Sequence, residues 1–424
     1  MLNRTLAPAS KQVDEINFIA PKAQQLDNGI KVFTVNAGQQ ELVRIEFIFQ
    51  NVNWDQNQPL QAVTVNSLIN NGTQTLSAKE IADKVDYYGA FLQTEYAADH
   101  TTITLYSLNK HLVAVLPIVW SILNESIFPQ NELDIFIQNQ KQKLSVNLQK
   151  NDFLARKTFA NTIFGATAYG SDIGLADYDE LKRADLLVYF KAAFKPENCT
   201  IIAAGKFEDV EFNLLNQSFG KAWANHEAST LNQFSFAALT GEDIYIEKPD
   251  AVQSAIRMGN LSINRKHDDF SSLQILNTLL GGYFGSRLMA NIREDKGYTY
   301  GIGSGIASLK DAGYFFIATE VGTDVCASAL QEIEKEINLL KTELVAEEEL
   351  DLVRNYMLGS MLGSLENAFS HADKFKNIYF SDLDYSYYSK YIHKVKTISA
   401  EEIKAIANTY LNWDAMTKVV VGKK

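Results

Sequence analysis

The sequence predicts an α+β fold built by tandem duplication, each half a two-layer unit with helices on one face of an antiparallel-rich sheet. Three observations predict it. Leu133-Asp134, near the start of a long helical stretch, returns as Leu350-Asp351. The run Thr200 to Lys206 (TIIAAGK) returns as Thr417 to Lys423 (TKVVVGK), and both offsets are 217 residues. Each half carries strands, a helix, a short helix, further strands and long helices in the same order. Two coincident offsets speak for a duplicated domain, since solenoid repeats have far shorter periods. A chain of 424 residues also needs more than one core, because single cores stop growing near ~250–300 residues. The expected units are residues 1–221 and 239–424. A polar, aperiodic linker over 222–238, containing His226, Glu227 and Ser229, joins them.

The first half reads in order as follows. Asn28-Gly29 makes a turn before the alternating run that ends at Val32, and Val43 to Phe49 alternates as a second strand. Asn57 to Asn70 is a helix with Leu60, Val63 or Thr64, and Leu68 inward, and Pro59 suits its first turn. Ser77 and Glu80 stand at capping-box spacing and open a helix to Tyr88. Strands at Phe91 to Tyr96 and Thr101 to Ser107 precede a helix over Lys110 to Leu123. A long helix follows over Glu132 to Asn151, then helices over Leu154 to Phe164 and Leu181 to Phe194. Thr200 to Ala204 closes the half as a strand.

Composition narrows the function. With 46% hydrophobic and 21% charged residues the chain has ample core, and a formal charge of −12 disfavours nucleic acid and anionic membrane as partners. Two cysteines, Cys199 and Cys326, cannot build a disulfide framework and read as reduced core residues. The N-terminal stretch through Phe18 has no apolar h-region, and the most apolar window, Leu112 to Leu123, contains Pro117 and is too short to span a bilayer. A cytoplasmic protein is expected.

The chemistry-bearing stretch is Leu279 to Ser304. Gly281, Gly282 and Gly285 interrupt an apolar run and allow tight turns or close approach to a ligand. Ser286 to Arg293 reads as a short helix with Leu288 and Ile292 on one face, and Tyr298 to Ile302 alternates as a strand begins. Arg293 at the helix end and Tyr300 in the strand could both donate to a carbonyl or a developing oxyanion. The same spacing equally suits a surface Arg and a packed sheet Tyr.

From end to end the chain resembles the pitrilysin/insulinase-type zinc metallopeptidases, in particular the two-subunit processing-peptidase branch. The matching residues are Leu26 to Val32 (LDNGIKV), Gly72-Thr73, Pro196 to Asn198 before the strand ending at Gly205, and Arg293 through Tyr300. The resemblance implies the processing-peptidase/LuxS-like metallohydrolase fold. Active members carry His-x-x-Glu-His on the helix before the Gly-Thr: two His at i, i+4 bind zinc and the Glu polarises the bound water. Counted back from Gly72-Thr73, those positions hold Val63, Asn66 and Ser67. The third ligand, a Glu, would fall near Lys143 to Ser145, yet Ile135 through Asn151 contains no acidic residue. The six histidines are never closer than eleven residues. No metal or other cofactor is expected in this chain.

In the family the Arg-Tyr pair comes from the C-terminal half and faces the zinc, and in two-subunit enzymes the partner supplies it in trans. The resemblance therefore implies a zinc-less accessory subunit of a heterodimeric zinc endopeptidase. Arg293 and Tyr300 would bind an extended peptide and stabilise its oxyanion, and a His-x-x-Glu-His subunit would supply zinc and base. Gly281, Gly282 and Gly285 lie where the mitochondrial non-catalytic subunit has a substrate-contacting glycine-rich loop. The alternatives are a structural or peptide-binding scaffold of the same fold and a homodimer without catalysis.

Overall fold

The computed structural model describes residues 13, 15–221, 223, 229–237 and 241–423. His226 and Glu227 of the expected linker, and most of the N-terminal stretch read for a signal peptide, lie outside the described residues.

Strands β1 (Lys22–Gln25), β2 (Lys31–Asn36), β3 (Leu42–Gln50), β4 (Phe91–Tyr96), β5 (His100–Leu108) and β6 (Cys199–Gly205) form one sheet in the order β1-β2-β6-β3-β5-β4. Strands β7 (Asp243–Glu247), β8 (Gln253–Ser262), β9 (Ile302–Ser308), β10 (Gly313–Gly322) and β11 (Thr417–Gly422) form the second, ordered β7-β11-β8-β10-β9. Without the edge strand β1 the two orders are the same. In each, the closing strand inserts parallel to the first strand and antiparallel to the second. The fold is a mixed α+β arrangement of two such sheets with their helices.

The residues that betray the repeat have a physical reason to recur. Gly205 ends β6 at φ +116°, where a Cβ would stand 2.2 Å from the Leu42 carbonyl oxygen. Gly422 ends β11 at φ +138°, with Ser254 Oγ 2.6 Å from its missing Cβ. Both glycines let the closing strand leave its sheet against the start of a neighbouring strand. The Asn28-Gly29 turn is also as read: Gly29 has φ +92°, and Gln25 pairs with Lys31 across it.

Each half's own helices cover one face of its sheet. The first core gathers Val65, Leu116, Val119 and Leu186 from the helices Gln61–Leu68, Leu112–Glu125 and Arg183–Ala193. The second gathers Leu273, Ile333, Ile337 and Ile403 from Phe270–Asn277, Cys326–Thr342 and Ala400–Tyr410. The helix Ala78–Tyr87 opens with the expected capping box between Ser77 and Glu80.

The opposite faces hold the principal addition to the two-layer reading, because the halves exchange helices there. Helix Asn151–Phe164, from the first half, lies on β8 and β11 of the second sheet. It packs Ala155, Phe159 and Ile163 against Ala255, Val419 and Val421. Helix Ala368–Tyr379, starting 217 residues later, lies on β2 and β6 of the first sheet and packs Ala368, Ala372 and Phe375 against Val35, Ile48 and Ile202. This explains why β3 is buried at every position from Val43 to Phe49 although its sequence alternates. Polar ties accompany the exchange. Arg44 bonds Asp373 at 2.7 Å and Glu46 at 3.0 Å, and Lys376 bonds Glu46 at 2.6 Å. Glu46, almost wholly buried, thus has two cationic partners, as a buried carboxylate requires. We propose the unit boundaries at 1–221 and 239–424, which leave each sheet within one unit.

Candidate functional site

The degenerate metal positions sit on the short helix Gln61–Leu68. Val63 is half-buried and packs into a cluster with Leu60, Leu144 and Tyr178. Leu144 belongs to helix Gln130–Asn147 and stands in the stretch where a third ligand would be sought. Apolar side chains therefore gather where the resemblance would place zinc donors. Ser67 is exposed, and its hydroxyl donates to the Val63 carbonyl at 2.8 Å. Asn66 is buried with its Oδ1 unpartnered, but a lone neutral amide is not a zinc ligand set. Among the described residues no group of three His, Cys, Asp or Glu is placed to hold a metal ion. The side chains present do not fit zinc. The two cysteines are buried thiols, and burial pushes that of Cys199 well up from its ordinary value.

The Arg-Tyr segment is built on the second core. Leu288 and Ile292 are fully buried, as their i, i+4 spacing implies, and hold a helix whose Met289–Asp295 part has wide turns. Asn291 fastens it from inside by donating to Glu332 at 2.9 Å and Glu336 at 2.7 Å. Gly297, at φ +66°, turns the chain out of the helix, and Tyr298 N–H reaches back to the Ile292 carbonyl at 3.0 Å.

Arg293 emerges at the end of this helix with its guanidinium 4.7 Å from the centroid of Phe284. Sequence reading missed Phe284, which lies nine residues upstream with nothing in its spacing to mark it. Tyr300 is not in a strand, contrary to expectation: β9 begins only at Ile302. The cause is Thr299. Its Oγ1 accepts from Gly301 N–H at 3.0 Å and donates to the Glu320 carbonyl at 2.7 Å, occupying a ladder acceptor. Such side-chain bonds compete with strand pairing. Tyr300 is therefore carried on a loop, 94% exposed. Among the described residues neither the Arg293 guanidinium nor the Tyr300 hydroxyl has a hydrogen-bond or ion-pair partner within the chain, and no contact joins them.

The three glycines divide. Gly281 is buried, and a Cβ there would stand 2.6 Å from Ser304 N in β9, so close helix–strand packing requires it. Gly282 and Gly285 are exposed. A Cβ on Gly285 would meet the Tyr283 ring at 2.9 Å.

The duplicated sheets and exchanged helices give the chain a peptidase-like fold. Residues 180–357 match the family model described as the peptidase M16 inactive domain. The chain is 25% identical over 303 residues to the uncharacterized zinc protease YmxG of Bacillus subtilis, covering 70% of this chain and 72% of the relative. It is 24% identical over 387 residues to the non-peptidase homolog YmxG of Helicobacter pylori, covering 87% and 86%. Among solved structures, a peptidase M16 inactive domain from Pseudomonas fluorescens superposes with a TM-score of 0.85 at 22% identity over 95% of this chain and 98% of that one. A protease from Helicobacter pylori gives 0.86 at 17% identity over 95% and 99%. Over residues 180–357 the chain is thus similar to the peptidase M16 inactive-domain family.

Proposed function

We propose that this chain is the zinc-less accessory subunit of a heterodimeric zinc endopeptidase, supplying Arg293 and Tyr300 in trans. One observation carries the reading: Val63 and Leu144 share an apolar cluster where the resemblance would place a metal, yet the donors of Arg293 and Tyr300 stand unspent. A Tyr hydroxyl kept for packing usually finds a partner, whereas that of Tyr300 is open to solvent. Phe284 holds the Arg293 guanidinium by a cation–π contact, which restrains the side chain while leaving its N–H groups free.

An extended peptide would add to a sheet edge, with main-chain hydrogen bonds giving affinity. A zinc held by the partner subunit would supply Lewis-acid activation of water, and preorganised donors aimed at the peptide oxygen, where negative charge develops, would lower the barrier. Arg293 and Tyr300 would be those donors. The partner would be a His-x-x-Glu-His protein of the same family, supplying zinc and base. No helix among the described residues is long and apolar enough to cross a membrane. Gly282 and Gly285, exposed beside Phe284, remain available to a substrate, while Gly281 is committed to packing.

The test is purification from the native host followed by reconstitution with the zinc-bearing subunit. The expected result is that a quenched peptide is cleaved only by the mixture. Equal cleavage by the zinc subunit alone would favour the scaffold reading.

A further inference from the structure

A cavity of about 200 Å³ lies between the two halves. It is walled by β5, the turn between β9 and β10, the loop after β8 and the end of helix Ala368–Tyr379. That volume suits a few waters or one small polyatomic ion, and falls below the ~300–1,000 Å³ of ordinary organic-ligand sites.

Cations reach it from three segments: Arg265, Lys310 and Lys376. Among the described residues two of them have no carboxylate partner. Arg265 donates only to the Asn377 carbonyl, at 2.8 Å, and its Nε is shut off from water without an acceptor. Lys310 Nζ donates to the Asn232 carbonyl at 3.2 Å. Lys376 is held by Glu46 at 2.6 Å. Asp99, on the cavity wall, is already occupied by the Tyr169 hydroxyl at 2.5 Å and the Lys310 backbone N–H at 2.9 Å. Glu95 is exposed at the rim.

Neutral partners complete the wall. Thr102 is buried there, and His100 packs on Phe380 with ring centroids 4.2 Å apart. Burial, helped by Lys310 and Lys376 against the pull of Asp99, lowers the His100 pKa to about 4, so the ring is neutral. Two cations held at one cavity without ion-pair partners raise the free energy of the folded chain, and a bound anion would lower it.

We propose that this cavity binds a small tetrahedral oxyanion of the phosphate class, held by Arg265 and Lys310 from the second half and by His100 and Thr102 from the first. Such a ligand would tie the halves together without touching Arg293 or Tyr300. The experiment is calorimetric titration and thermal unfolding of the full chain with inorganic phosphate in chloride buffer at fixed ionic strength. Saturable binding at one site per chain is expected, with Tm rising as phosphate increases. Arg265→Gln and Lys310→Gln should each weaken binding roughly tenfold or more, the usual cost of a lost charged hydrogen bond. The His100 ring resonances should move with the same midpoint. Should Arg265→Gln fail to fold, Lys310→Gln, whose ammonium bonds one carbonyl, carries the comparison. Absence of saturable heat, an equal Tm rise from added sodium chloride, or unchanged binding in folded Lys310→Gln would each overturn the proposal.

Discussion

Arg293 and Tyr300 make the accessory-subunit reading testable at single side chains. Tyr300→Phe removes one donor from an exposed ring and should leave stability unchanged. In the reconstituted complex it should lower kcat by ~10²–10³ with little change in KM, the usual size for one oxyanion donor. Arg293→Ala also removes a substrate anchor, so kcat and KM should both worsen. Steady-state kinetics on a quenched peptide checks both, and wild-type kcat in Tyr300→Phe would make the pair a relic. Helix Gln61–Leu68 gives a second test. Protein purified without a metal-affinity tag should contain no stoichiometric zinc by elemental analysis, because Val63 and Leu144 present carbon where ligands are needed. One zinc held per chain by residues of helix Gln61–Leu68 would refute this. The Arg-Tyr spacing was legible in the sequence. The loop that carries Tyr300 was not, because it arises from a Thr299 side chain reaching the distant Glu320 carbonyl.

At the scale of elements, Gly281 separates packing from substrate contact. A Cβ at this position would press on the backbone of β9 rather than on a flexible side chain. Gly281→Ala should therefore lower stability by ~1–3 kcal/mol, the usual cost of overpacking, measured by urea unfolding. Gly285→Ala meets only the Tyr283 ring, which can swing aside, and should be far milder. Equal stability of the Gly281 variant and the wild type would return that glycine to the substrate loop. The Ser77–Glu80 capping box was readable from four residues because all its bonds are local. The wide turns of Met289–Asp295 were not, because Asn291 is anchored by Glu332 and Glu336 from a helix some forty residues on.

For the whole molecule the exchanged helices decide how the halves behave. Phe159 is 1% exposed and lies on the second sheet although it belongs to the first half. Phe159→Ala should cost ~3–5 kcal/mol, and both halves should still unfold in one calorimetric transition. Two separate transitions in the wild type would mean the exchange contributes little coupling. Acid should loosen the same interface. His100 is depressed to about 4, and His371, which accepts the Ile19 N–H at 3.2 Å, is lowered by burial. For a depressed histidine the unfolded chain binds more protons, so its stabilisation is complete above the unfolded value near ~6.5 and is lost as pH falls toward the folded value. In phosphate-free buffer Tm should drop between about pH 6.5 and 4, and His100→Gln should flatten part of that drop. A parallel profile in the variant would remove His100 as a cause.

The sequence by itself determined the duplication, the α+β class and most helices and strands. These follow from local pattern: turn glycines and period-2 and period-3.6 apolar spacing. Only the tertiary structure decided that helices Asn151–Phe164 and Ala368–Tyr379 cover the other half's sheet, that Phe284 holds Arg293, and that Arg265 and Lys310 face one cavity. Those contacts join residues far apart in the chain. An amphipathic helix specifies that one face must be buried, but not which of two similar sheets will bury it.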